Sequence, residues 1–166
     1  MSEGKVRLFF AMGGNFISAA PDSEFTAKAM ECCEMTVQVS TKLNRSHIIT
    51  GKEAIILPCL ARTDLDVTKA GAQFVTVENS MGIVHRTKGS EPPPSTLLRS
   101  EPAIVCDLAM AIFGADSLSW AAWKENYDLI RNDIEAVIPG FDEYNRRVRQ
   151  PLGFYLPNGA RERKFN

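Results

Sequence analysis

Residues 8–25, LFFAMGGNFISAAPDSEF, decide the fold. An apolar run ends at the pair Gly13-Gly14, passes Asn15 and Ser18, and meets a helix-start signal at Pro21-Asp22. Apolar residues on both faces from Val6 to Met12 predict a strand covered on each side, as in a parallel sheet. Asp22 then caps a helix that turns Phe25, Ala29, Cys32 and Cys33 to one side. The unit is strand, turn, helix. Glycines at a strand end let a backbone approach a ligand, and a helix N-terminus beyond them offers unpaired N–H groups to an anion. The alternative is a tight turn with no ligand, because the third glycine and the spacing of the dinucleotide fingerprint are missing.

Working outward, MTVQVS (Met35 to Ser40) alternates apolar and polar and reads as a second strand. NRSHIIT follows as a short polar-to-apolar crossover, and EAIILP (Glu53 to Pro58) is a third strand. Strand-helix-strand-helix-strand implies parallel neighbours joined by right-handed crossovers. The expected class is α/β: a three-layer, Rossmann-like open sheet, mostly parallel, with a helical C-terminal part and a ligand crevice at the carboxyl ends of its strands.

Beyond the third strand, AQFVTVENSMGIVHRT reads as two extended segments around ENSMG, and KGSEPPPSTLLRSEP as an irregular, proline-rich connection wrapping the sheet's edge. Ser100 caps a helix with Glu101 and Pro102 in its first turn, an apolar stripe of Ile104, Val105, Leu108, Ala111 and Ile112, and Gly114 as its stop. A second long helix is predicted from about Ser119 to Pro139-Gly140, its stripe formed by Trp120, Trp123, Tyr127, Ile130, Ile134 and Val137. That stripe reads as core or interface.

Composition narrows the function classes. The 166 residues carry 19 basic and 20 acidic side chains, which predicts no general attraction to nucleic acid or anionic lipid. MSEGKVRLFF lacks the apolar core of a signal peptide, and no stretch is long enough to span a bilayer, so a cytoplasmic location is expected. Cys32, Cys33, Cys59 and Cys106 match no paired metal or redox spacing, and His47 and His85 stand alone. Neither a metal site nor a catalytic residue is expected. Asp64 and Asp66 read as a solvated loop.

Candidate contacts gather at predicted strand ends. Ser40-Thr41 closes the second strand, where dinucleotide-binding folds place a ribose acceptor. Cys59 closes the third, either facing the crevice or as a small buried residue. Glu101, ionised in a helix's first turn, is either a structural cap or a crevice carboxylate. In the crevice it could accept two parallel hydrogen bonds from the adjacent N–H donors of guanine, which adenine lacks.

Four ordered blocks, FFAMGGNFISAAPD, VSTKLNRSHIITGKEAIILPC, QFVTVENSMGIVHR and LLRSEPAIVCDLA, resemble the catalytic (alpha) subunits of molybdopterin oxidoreductases, nearest the formate-dehydrogenase-like YdeP group. The resemblance covers nearly the whole chain and implies one Rossmann-like domain of a much larger subunit, binding the guanosine end of bis-molybdopterin guanine dinucleotide. It carries over Gly13, Gly14, Asn15 and Ser18 at the first turn, Ser40 and Thr41 at the second, Cys59 at the third, and Glu101 at the helix start. Phe16 stands where a proline is common, hydroxyls where many relatives have Gln-Asp, and Cys59 where Ser or Thr is usual. In ENSMGIVHR, Asn79 and Gly82 keep the family's character, but its acid and arginine do not align.

The resemblance divides the chain into a partial cofactor-binding domain (1–116), a helical extension (117–150) and an extended linker (151–166) toward a further C-terminal domain. It places the molybdenum ligand, any iron-sulfur cluster and the pterin pockets outside this segment, which alone is expected to be inactive. The implied partners are the other domains of the parent subunit and an electron-transfer protein, with no nucleic acid or membrane. A stand-alone nucleotide-binding or adaptor module without a redox centre is the alternative.

Overall fold

The computed structural model describes residues 1–158 and divides into two compact units. The first joins Met1–Ala61 to Ser95–Glu101; the second joins Arg62–Pro94 to the chain from Pro102 onward. The last eight residues of the expected linker, 159–166, lie outside the described residues.

The first unit is the α/β part. Strands β1 (Leu8–Met12), β2 (Met35–Ser40) and β3 (Glu53–Pro58) form one parallel sheet in the order β1-β2-β3. Phe10 stands beside Val37 and Val37 beside Ile55. Helices α1 (Phe16–Ala19) and α2 (Ser23–Glu31) connect β1 to β2. Asp22 caps α2 as its sequence position predicts, its carboxylate accepting the Phe25 N–H at 2.8 Å.

Four features differ from the sequence reading. β1 is an edge strand here rather than one covered on both faces: Leu8, Phe10 and Met12, on one face, are exposed. β2 takes the central place and is buried on both faces, although apolar/polar alternation is the usual mark of a half-buried strand. Its polar residues are used internally, Gln38 Nε2 donating to the Ser46 carbonyl at 2.8 Å and Thr36 Oγ1 accepting the Gly51 N–H at 3.3 Å. The second crossover holds only a 3-10 turn, Arg45–Ile48, in place of a helix. On α2 the buried side is Ala29 and Met30, continued by Cys33, while Phe25 and Cys32 are exposed. Ile17 and Met30 are wholly buried, each contributing about 1.5–3 kcal/mol.

The second unit holds the two-stranded β4 (Val67–Thr68) and β5 (Gly71–Ala72), and the antiparallel sheet β6 (Val75–Glu78), β7 (Ile83–Thr87) and β8 (Phe154–Tyr155). The β6-β7 hairpin turns at the expected ENSMG, where Asn79 Oδ1 accepts the N–H groups of Met81 and Ile83. Its helices are α3 (Glu101–Phe113, whose first residue belongs to the first unit), α4 (Trp120–Glu125), α5 (Tyr127–Val137) and α6 (Tyr144–Arg147). Val84, Tyr144, Val148 and Phe154 form its core, with Phe74, Ile134, Phe141 and Leu156 packed on it.

Helix α3 starts and stops where the sequence predicts, but it buries Ala103, Cys106 and Ala109, while Val105, Leu108 and Ile112 are exposed. The predicted long helix is two. Asn126 leaves helical geometry (φ −145°, ψ 104°), and its side chain accepts the Asp128 N–H at 3.0 Å, starting α5 afresh. Only Tyr127 of the predicted stripe is fully buried; Trp120 and Trp123 are half-buried and meet edge to face at 4.9 Å.

Candidate functional site

All eight residues singled out from the sequence lie in the first unit, around the carboxyl ends of its three strands. At the end of β1 the chain turns through Gly13 (φ 66°) and Gly14 (φ 71°), a left-handed geometry that residues with a Cβ resist. Gly13 N–H donates to the Val39 carbonyl at 2.8 Å, tying this turn to the end of β2. Both glycines are exposed, and a Cβ added at Gly14 would meet nothing within 4 Å. The backbone here is open to a ligand.

Glu101 reaches this turn. The exposed carboxylate's Oε1 lies 3.7 Å from where a Cβ at Gly13 would stand, so acid and turn share one surface. The chain arrives there beside β3: Cys59 pairs with Arg99 in a parallel bridge, and Leu60 N–H donates to the Arg99 carbonyl at 3.0 Å. This part of the proline-rich connection therefore returns to the strand ends.

Asn15 is half-buried and caps α1 by position without a side-chain bond to that helix. Its Oδ1 instead accepts the Ser46 hydroxyl at 2.9 Å, and Ser46 Oγ accepts the Ile17 N–H at 3.1 Å. Asn44 Nδ2 donates to the Gly14 carbonyl at 2.8 Å. Asn44, Ser46 and, through the Ser46 carbonyl, Gln38 are thus residues of the site that the sequence reading missed. The available signal was Asn44-Arg45-Ser46, because Asn and Ser readily bond nearby backbone groups in short turns. Within that turn His47 is buried and its Nδ1 accepts the Asn44 N–H at 3.0 Å; its Nε2 has no partner among the described residues.

The remaining candidates are placed less directly. Ser40 Oγ donates to the Lys42 carbonyl at 2.8 Å, and the Ser40 carbonyl accepts the Cys59 N–H at 3.2 Å, so these two strand ends adjoin. Cys59 is only 4% exposed, which limits what its thiol can offer to a ligand. Ser18 and Thr41 are exposed, and no hydrogen bond joins either side chain to the other candidates among the described residues. The N-terminus of α2 is no open anion site, since Asp22 already supplies a carboxylate there.

Asp66 is not a solvated loop residue: its carboxylate accepts the Tyr127 hydroxyl at 2.6 Å in the second unit. Among the described residues no three His, Cys, Asp or Glu side chains gather where they could hold a metal ion. No helix among the described residues is long and apolar enough to cross a membrane.

No family model matches the chain. Individual proteins do. It is 50% identical over 163 residues to a protein of Mycobacterium tuberculosis named an uncharacterized oxidoreductase, and equally to its counterpart in Mycobacterium bovis. It is 46% identical over 162 residues to the YdeP protein of Escherichia coli. Each match takes in 98% of this chain but 21% of the relative, so the chain spans about a fifth of the length of the curated relatives it matches.

Proposed function

We propose that this chain is the segment of a large molybdenum-dependent, formate-dehydrogenase-like oxidoreductase that holds the guanosine end of bis-molybdopterin guanine dinucleotide. The observation that carries this reading is the Glu101 carboxylate set against the exposed Gly13-Gly14 turn at the carboxyl ends of a parallel sheet. A carboxylate accepts both donors of the guanine edge, and two glycines give the rest of a nucleotide access to main chain. The donor set fits a nucleoside: an anionic acceptor at Glu101, an amide at Asn15 and hydroxyls at Ser40, Thr41 and Ser18.

When bound, the cofactor would supply the redox chemistry at its metal; this chain's residues grip and orient its nucleotide end. The oxidoreductase names of the relatives and the fraction of their length that this chain matches support a role within a larger enzyme. The remaining domains of that subunit would then be its partners, with an electron acceptor beyond them.

Calorimetric titration of the chain with GDP and ADP tests the proposal. GDP is expected to bind more tightly, with the preference lost in Glu101→Gln. Equal affinities, or a preference that survives the substitution, would overturn it.

A further inference from the structure

Asn15 and Ser46 are joined in one direction. Ser46 Oγ accepts the Ile17 N–H, so its single proton is free to go to Asn15 Oδ1, 2.9 Å away. Ser46 is itself held: it is buried, its N–H donates to Asn44 Oδ1 at 2.9 Å, and its carbonyl takes the Gln38 amide. Asn44 closes the ring by donating to the Gly14 carbonyl. Asn15 Oδ1 already takes one hydrogen bond from Ser46, while its NH2 group donates to nothing among the described residues. The backbone N–H groups of Gly14 and Asn15 are likewise without acceptors among the described residues. The groups of Gly14 and Asn15 that have no partner are therefore donors, whereas each of their acceptor oxygens already takes a hydrogen bond.

We infer that Ser46 is a positioning residue that sets the Asn15 amide as a hydrogen-bond donor, so that the turn after β1 takes an acceptor oxygen of its ligand, a phosphate or base-carbonyl oxygen, in preference to a ribose hydroxyl proton or a ring N–H. This rests on the nucleotide-binding reading above and adds a polarity to it. Glu101 accepts and the Gly14-Asn15 turn donates, so one ligand meets opposite hydrogen-bonding demands at two neighbouring points.

The test is titration of the chain with guanosine, GDP and inorganic pyrophosphate at fixed ionic strength, on wild type, Asn15→Asp, Asn15→Leu, Ser46→Ala and Ser46→Thr. Leu matches Asn in shape and adds no charge, which separates loss of the donor from repulsion. Both Asn15 variants are expected to bind about tenfold more weakly. Ser46→Ala should weaken binding and also lower the melting temperature, because it leaves the buried Ile17 N–H without its acceptor, and Ser46→Thr, which keeps the hydroxyl, should restore binding. If the acceptor is a phosphate oxygen, GDP and pyrophosphate lose affinity while guanosine does not; if it is the base carbonyl, guanosine and GDP lose it equally.

Asn15→Asp binding as tightly as wild type, or more tightly, would overturn the donor assignment while leaving a guanosine preference standing. Pyrophosphate binding that is sensitive to Asn15, with GDP no better than ADP, would uphold the donor assignment and overturn the guanosine reading. No binding of any of the three probes to wild type would overturn both.

Discussion

Glu101 Oε1 sits 3.7 Å from the position a Cβ would take at Gly13, although the two lie 88 positions apart in the chain. That distance is an ordinary contact, so a methyl group at Gly13 has room; its difficulty is the backbone angle, φ 66°. Gly13→Ala is expected to lose about 1–2 kcal/mol, the cost of left-handed geometry for a residue with a Cβ, read as a lower urea midpoint. An unchanged midpoint would show that the turn relaxes freely.

Glu101 is exposed and its carboxylate is not needed to close a core. Glu101→Gln should leave the melting temperature of the chain nearly unchanged, yet weaken GDP binding by about 1.5–3 kcal/mol, the worth of a charge-assisted contact. Loss of stability without loss of binding would make Glu101 a structural residue.

In the second unit, Tyr127 is 2% exposed and its hydroxyl donates to Asp66 Oδ2 at 2.6 Å, while its N–H donates to Gln73 Oε1 at 3.0 Å. Tyr127→Phe keeps the ring and removes one bond to a carboxylate. Denaturant unfolding should register about 1.5–3 kcal/mol of lost stability.

Gly89 has no positive φ to satisfy; its need for glycine is steric. A Cβ there would lie 1.9 Å from the Asp64 carbonyl oxygen, in the segment where Asp64 and Glu91 form a parallel bridge. Gly89→Ala must push backbone apart and should cost at least the roughly 1–3 kcal/mol typical of overpacking. Thermal unfolding compared with Ser90→Ala, an exposed neighbour, provides the check.

Asp128 couples the second unit to acid. Burial raises its carboxyl, but hydrogen bonds from Arg131 and Arg149 outweigh that and hold it below the usual carboxylate range. A carboxyl lowered in the folded state stabilises above its unfolded value, about 3.9, and that contribution fades as pH falls through the folded value. The urea midpoint should therefore drop below about pH 4, and Asp128→Asn should flatten part of that drop. At pH 7 the same substitution removes the carboxylate beside Arg131, which is only 4% exposed, and should cost about 3 kcal/mol.

Local chemistry alone made several elements legible. β2 and β3 begin and end where their apolar runs do, Asp22 caps α2, the β6-β7 turn falls at ENSMG, and α3 runs from Glu101 to the residue before Gly114. Each depends on residues within a few positions: an Asn or Asp that accepts a nearby N–H, a glycine that turns, a run whose period matches one element. The grouping of candidates at strand ends was legible for the same reason, because parallel strands joined by crossovers bring their carboxyl ends to one edge.

What the sequence determined by itself was therefore the α/β class, the strands and their turns, and the residue types at the first turn and at Glu101. Tertiary structure decided which faces are buried and which atoms remain available. Gln38 looks like the wet side of an alternating strand, yet it is buried because the Ser46 carbonyl receives its amide; the predicted helix through Asn126 breaks where that side chain caps a new one. Asn15 reads as either donor or acceptor until Ser46, 31 residues away, takes its oxygen. A periodic pattern specifies an element from its neighbours in sequence, but burial and hydrogen-bond direction depend on groups that only folding brings within reach.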